Sequence, residues 1–258
     1  MDPALVAEDL MGYVPVSPGG TVDRRSWGRL SFQPGPHPYF ATVSGVRASS
    51  SAAALLDEAS AFFRSHGRSE FSWWLGPHTA PAGLGEDLLA LGAEADEPAM
   101  AMVLTDEPPA VPHVEVRRVT TRADLAAFRS IIFEVDESTP DEQREAVEAG
   151  LEQSFATLVS GENPRTLFLA CDAEGVPVSS GGLVLTEQGL GALVGGATRP
   201  WARGGGLYRA LVRARWEHAR DHGNPVLVTQ ASPMSRPVLE RCGFRAVAEV
   251  QVLRTPCS

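Results

Sequence analysis

The chain contains no lysine: all 22 of its basic residues are arginine. That absence excludes Schiff-base and pyridoxal-phosphate chemistry, and it excludes a nucleotide loop ending in G-K-[ST]. Cysteine is scarce, and Cys171, Cys242 and Cys257 are odd in number and far apart. They read as free thiols in a reducing compartment, not as a disulfide framework or a metal knuckle. No apolar run reaches the roughly 18 residues a membrane span needs. The opening MDPALVAEDL is acidic and lacks the apolar stretch of a signal peptide, so the expected location is the cytoplasm. Positive charge is also in deficit, 22 arginines against 32 carboxylates for a net charge of −10. Such a surface repels nucleic acid and anionic membrane and favours small cationic molecules. Otherwise the make-up is globular, and 258 residues suffice for one large domain or two small ones.

Glycine is where the chain is rich. The apolar run GALVGGA, residues 191–197, reads as a buried strand. A turn follows, with Pro200, Arg203 and the successive glycines Gly204, Gly205 and Gly206. A helical pattern begins at once: Leu207, Ala210, Leu211 and Ala214 share one face, while Arg209, Arg213 and Arg220 point elsewhere. Strand, glycine turn and helix start present bare backbone N–H groups to an anion. The first helical amides lack intrahelical acceptors, and the helix dipole adds about half a positive charge there. A dinucleotide fingerprint is excluded, because Arg209 stands where G-x-G-x-x-G needs its third glycine.

These residues resemble the acyl-CoA pyrophosphate loop of the GNAT superfamily of N-acetyltransferases, V-x-P-x-x-R-G-x-G-x-G-x-x-L. Thr198 stands at the valine, followed by Pro200, Arg203, Gly204, Gly206 and Leu211, and Tyr208 replaces the last small residue. Tyr208 leaves the loop amides in place but is expected to crowd the first helical turn. A second block, PVLVTQASPMSRPVLERCGF over residues 225–244, is similar to the family's next strand and helix, N-x-x-A-x-x-L-Y-E-K-L-G-F. Ser232 falls at the asparagine, Ser235 at the alanine and Leu239 at the tyrosine.

The resemblance implies an α/β fold with a mixed sheet, and the order of patterned segments from residue 114 onward, β-α-α-β-β-β-α-β-α-β, is the family's order. Its parts are the strand VEVRRVT, a helix capped by Thr121 with Asp124 three residues on, and a second helix over residues 140–159. Three strands follow, with turns at Ala173-Glu174-Gly175 and Gln188-Gly189, then the glycine loop, and RAVAEVQVLR closes the half. TDEPPAVPH, residues 105–113, is the expected linker, dividing the chain into residues 1–108 and 109–258. The first half repeats part of the second. ALLDEASAFFRSHG aligns without gaps on ALVRARWEHARDHG, with Gly67 on Gly223, an offset of 223 − 67 = 156. Gly92 matches Gly243 at 243 − 92 = 151. The N-terminal half is therefore expected to be a shortened GNAT-like unit. Its loop SGVRASSS lacks R-G-x-G, so the expected role is packing or covering the acceptor rather than binding CoA.

The implied activity is acyl transfer, acetyl from the co-substrate acetyl-CoA to a small-molecule amine, in a monomer or homodimer with no metal. The expected CoA contacts are the backbone of Ala197 and Thr198, the turn Arg203, Gly204, Gly205, Gly206, Leu207, Tyr208 and Arg209, and Ser232 and Ser235. Residues 199–221 hold six arginines against Glu217 and Asp221. Arg203 and Arg209 are the expected phosphate contacts, and Arg213 and Arg220 fit a solvated helix face. Direct attack needs a route for the ammonium proton and a donor for the leaving thiolate. The family's helix tyrosine is Leu239 here, so Ser232 or Ser235 would relay a proton through water. Glu134, Asp136 and Glu137 lie in the segment expected to wall the acceptor, with Glu134 or Asp136 binding its ammonium or passing on its proton. The rival reading is a CoA-sensing or scaffold protein without turnover. His218 and His222, four residues apart, have a spacing that can hold zinc but no third ligand. Trp73-Trp74 reads as a strand with one ring in the core and one at a domain interface, and Cys242 as a core thiol.

Overall fold

The computed structural model describes residues 1–16, 19–33, 38–136, 141–161 and 165–257. Contacts along the chain divide it into two units: Met1–Met102 with Gln230–Arg236 and Ala246–Ser258, and Val103–Thr229 with Pro237–Arg245.

In the first unit, helix α1 (Pro3–Glu8) precedes strands β1 (Thr21–Arg25), β2 (Gly28–Phe32) and β3 (Ala41–Ser44). Helix α2 (Ala52–Ser65), strand β4 (Glu70–Leu75), helix α3 (Leu84–Ala90) and strands β5 (Glu94–Ala95) and β6 (Ala99–Leu104) follow. β1, β2 and β3 are antiparallel neighbours, whereas β3 and β4 run parallel, Thr42↔Ser72 to Ser44↔Trp74. A parallel pair needs a crossover, and α2 supplies it. α2 buries Leu55, Ala59 and Phe63 against Leu30, Val43, Phe71 and Trp73. Both tryptophans of the Trp73-Trp74 pair are buried, at 0% and 8% exposure. Trp73 Nε1 donates to Thr255 Oγ1 at 3.1 Å and Trp74 Nε1 to Ser72 Oγ at 3.0 Å, so each ring's polar edge is satisfied indoors.

The closing strand β12 (Arg245–Pro256) departs from expectation. It pairs antiparallel with β4, Gln251↔Leu75 to Pro256↔Glu70, and so serves the first unit rather than ending the second. Val250, Val252 and Leu253 are buried there. Hydrophobic alternation specifies that a segment is a strand, not which neighbour accepts its backbone.

The second unit carries β7 (Val116–Arg118), α4 (Arg122–Val135), α5 (Asp141–Ala149), α6 (Leu151–Ser160), β8 (Arg165–Cys171), β9 (Pro177–Leu185), β10 (Gly191–Thr198), α7 (Leu207–Asp221), β11 (Leu227–Ala231) and α8 (Arg236–Arg241). The sheet order is β11-β10-β9-β8-β7, with only the β10–β11 pair parallel. The stretch 140–159, expected as one helix, instead carries α5 and α6, because Gly150 separates them with no side chain to stabilise a continuous turn. The capping box is present: Thr121 Oγ1 accepts from Asp124 N at 3.1 Å and Asp124 Oδ2 from Thr121 N at 3.3 Å. Alternation on β8 sends Leu167 and Leu169 toward α4 and α6, and Phe168 toward α7, where its ring meets His218 edge-on at 5.7 Å. Helices therefore cover both faces of this sheet.

The internal repeat is visible in both units. α2 shifted by 156 spans residues 208–221, against Leu207–Asp221 for α7. Gly67 and Gly223 both follow their helices in the left-handed region, φ 72° and 78°. Arg68 N donates to Phe63 O at 3.0 Å, and Asn224 N to Ala219 O at 2.8 Å, the same helix-ending bond in each copy. Gly92 and Gly243 match in the same way, φ 98° and 96°.

Candidate active site

The site is built where β10 hands the chain to α7. β9 and β10 pair without interruption from Gly191↔Leu185 to Val194↔Gly182, then resume at Ala197↔Ser180. The slip makes a bulge of Gly195 and Gly196, both exposed, with Gly195 at φ 55°. On the other side the β10–β11 ladder ends at Ala192↔Val228, and beyond it the Thr229 hydroxyl donates to Leu193 O at 3.3 Å. At the end of β10 the Ser179 hydroxyl donates to Ala197 O at 2.9 Å and lies 2.6 Å from Thr198 Oγ1. Arg203 Nε donates to Thr198 O at 3.3 Å.

Past Thr198 the chain turns through Pro200–Ala202, held by Ala202 N to Arg199 O at 2.9 Å. Gly204 and Gly206 sit at φ 86° and 83°, a region that any side chain would strain. Gly206 caps α7 without a side chain, and the first helical bond is Ala210 N to Gly206 O at 2.9 Å. Among the described residues no acceptor takes the amides of residues 204–209. A Cβ built on Gly204 would meet nothing within 4 Å, and one on Gly205 only Ala202 O at 3.9 Å. Gly204 and Gly205 thus face open space that side chains would fill, whereas a Cβ on Gly206 would stand 3.1 Å from Val111 Cγ1. Arg209 Nη2 lies 3.3 Å from the Cβ position of Gly206, which puts a full positive charge beside the cap. The equivalent loop of the first unit is spent on itself. Ser51 caps α2 by accepting from Ala54 N, Arg47 N donates to Trp27 O and Ala48 N to Ala80 O.

Tyr208 does not crowd its own helical turn as expected. Its ring packs on the bulge, with Cε2 2.7 Å and Oη 3.1 Å from where a Gly196 Cβ would stand. A side chain at 196 would exclude that ring. α7 buries Arg215 completely, where the sequence pattern placed the half-buried Ala214 on the core face. Arg215 Nε donates to Leu211 O at 3.0 Å and Nη1 to Gly182 O at 3.2 Å, while Nη2 is buried with no partner among the described residues. A guanidinium looks polar in any periodicity count, so its burial had no sequence signal. Arg213 is not free on a solvated face. It binds Glu217 at 2.6 Å, Glu107 and the Pro108 carbonyl, pinning α7 to the linker, and hydrogen bonding to Glu217 first of all holds its pKa up.

Glu134 is 37% exposed on α4, and Arg199 Nη1 binds its Oε2 at 2.8 Å. Arg199 also donates to Ser130 Oγ at 3.3 Å. Sequence reasoning gave Arg199 no part in the site, although it directly precedes the turn proline. Asp136 ends α4, its carbonyl accepting from Arg144 at 2.9 Å. Glu137 lies outside the described residues. The structure brings together the bulge, the glycine turn, Arg203, Tyr208, Arg209 and Glu134 in one unit. It places Ser232 and Ser235 in the other. There they close a turn at the start of α8: Ser235 N donates to Ser232 Oγ at 3.3 Å, and Arg236 N to Ser232 O at 2.9 Å. Leu239 is 1% exposed. Cys242 is equally buried, and burial pushes its thiol up to about 11, so it is a core thiol. Burial, with help from His222 and Arg118, holds His218 below its ordinary pKa. Among the described residues no three His, Cys, Asp or Glu side chains cluster to hold a metal. Nor is any helix among them long and apolar enough to cross a membrane.

Residues 128–244 match the model of the Acetyltransferase (GNAT) family. The match runs from within α4 to just past the end of α8, and that family is in general acyl-CoA dependent. The whole chain is similar in fold to a tandem GNAT protein from the clavulanic acid biosynthesis pathway, at 17% identity and TM-score 0.62, covering 100% of this chain and 88% of that one. It is also similar to a GCN5-related N-acetyltransferase from Kribbella flavida, at 13% identity and TM-score 0.70, covering 99% and 96%. A functionally unknown conserved protein from Staphylococcus epidermidis shares the fold at 11% identity and TM-score 0.68, covering 92% and 94%. No curated protein matches the sequence.

Proposed function

We propose that this protein is an acyl-CoA-dependent N-acyltransferase that moves acetyl from acetyl-CoA to a small-molecule amine by direct attack within a ternary complex. The observation that carries the reading is the run of unpartnered amides at residues 204–209, opening on empty space between Arg203 and Arg209. Such amides, a helix dipole and two guanidinium groups form a binding surface for a diphosphate. The ends of the Ala197 and Thr198 peptides would line the pantetheine arm, and acetyl-CoA would bring the acyl group as its thioester. Glu134, with Oε2 held by Arg199, keeps its second oxygen for the acceptor's ammonium, and Asp136 adds negative charge on the same helix. Both fit a cationic amine better than an anionic acceptor. Ser232 and Ser235 hold the turn before α8.

Leu239 favours a second reading. It is buried where the family donates a proton, which suits a CoA sensor without turnover. Calorimetry with acetyl-CoA, followed by thiol release across an amine panel, separates the two. Binding with release supports the transferase, binding without release the sensor, and no binding removes both.

A further inference from the structure

The chain's three tyrosines differ sharply in circumstance. In the first unit, the Tyr39 hydroxyl bonds Asp96 at 3.2 Å, and burial, then Asp96, raises its pKa to about 12. Tyr13 lies beneath Arg29 in that same unit. Tyr208 is the second unit's phenol, half-buried, its hydroxyl without a hydrogen-bond partner among the described residues. That hydroxyl rests on exposed Gly196, one residue before the Ala197 and Thr198 peptides assigned to the pantetheine arm. Beneath the ring, 5.4 Å from its centroid, is the guanidinium of Arg215. Arg215 is 0% exposed, its hydrogen bonds go to carbonyls, and among the described residues no carboxylate pairs with it and Nη2 has no hydrogen-bond partner. A buried charge with no counter-ion is costly unless something offsets it.

We propose that Tyr208 is the acid that returns a proton to the leaving thiol, with Arg215 as the fixed charge that compensates the phenolate left behind. The inference rests on the transferase reading above. The amine reaches the thioester neutral, its first proton already lost to solvent. Nitrogen bonds to the acyl carbon, the carbon–sulfur bond breaks with its electron pair on sulfur, and the Tyr208 hydroxyl proton moves to that sulfur. The second nitrogen proton, released as the amide forms, restores the phenol through solvent. The other candidates are occupied: Leu239 has no proton to give, Cys242 is buried, and the Ser232 and Ser235 hydroxyls bond within the turn before α8.

The test is Tyr208→Phe, which keeps the ring over Gly196 and removes only the hydroxyl. We expect calorimetric CoA affinity to stay within about threefold, while kcat falls about 100-fold or more, the range for a lost general acid. A second readout needs no turnover. The ultraviolet absorbance of bound CoA thiolate, followed against pH, should show its midpoint rise in the variant, because a hydrogen bond favouring the charged sulfur is gone. An unchanged kcat, or a lowered kcat with an unmoved thiolate midpoint, overturns the inference and leaves CoA binding intact. If the wild-type protein fails to bind CoA, the transferase reading fails first, and this inference with it.

Discussion

Gly181 has no side chain where Arg215 has its guanidinium: a Cβ there would stand 2.9 Å from Arg215 Cζ. One small residue on β9 thus makes room for a buried charge on α7. Arg215→Ala should destabilise the protein by about 2–4 kcal/mol, since it empties a packed site and frees two carbonyls. Arg215→Met, near in volume, should cost about half of that or less. Denaturant unfolding of the two variants checks the order, and equal costs would mean packing is not the main term.

The glycine turn carries an optical reporter. Trp201 is 65% exposed in the turn leading to Gly204, whereas Trp27, Trp73, Trp74 and Trp216 are at most 8% exposed. Titration with CoA should change the emission of this exposed ring, and Trp201→Phe should abolish the change while calorimetry still records binding. A signal that survives in Trp201→Phe would place the ligand elsewhere.

Reversing the charge next to the diphosphate should be severe. Arg203→Glu is expected to weaken CoA about 100-fold, because one attraction becomes a repulsion beside bare amides. Raising the salt concentration should narrow the gap between variant and wild type.

Glu134 and Arg199 are expected to act as a pair. Glu134→Gln should raise KM for the amine more than it lowers kcat, as suits a residue that holds the ammonium. It should leave CoA affinity alone. A kcat/KM that does not move would end Glu134's role.

Acid should loosen the start of α4 in a defined window. Burial alone would raise the pKa of Asp124, yet hydrogen bonds from Thr121 and Thr120, with Arg117, bring it below its ordinary 3.8. The native state therefore favours the carboxylate. Its contribution is fully present above 3.8 and is lost as pH falls through the lower folded value. Asp124→Asn should cost about 1 kcal/mol at neutral pH, and its deficit against wild type should shrink below that window.

The glycine turn, the capping box and the repeat were legible because each depends on neighbours in sequence. Gly204 and Gly206 announce left-handed backbone, Thr121 and Asp124 announce a helix start, and Gly67 and Gly223 end equivalent helices at the same φ sign. The break at Gly150 is also local, but the helical pattern continues on both sides of the glycine, so the pattern by itself reads as one helix. Arg199 was missed as Glu134's partner because 65 residues separate them (199 − 134 = 65).

The sequence by itself determined the kind of turn at residues 204–206, the helix that follows and the likeness of residues 128–244 to the GNAT family model. These follow from steric limits on single residues and from short-range spacing. Tertiary structure alone decided that β12 would pair with β4, that Arg215 would lie buried and that the Tyr208 ring would settle on Gly196. Each of those is a choice of distant partner, made by whichever neighbour fills the space and satisfies the backbone, and spacing along a chain carries no record of it.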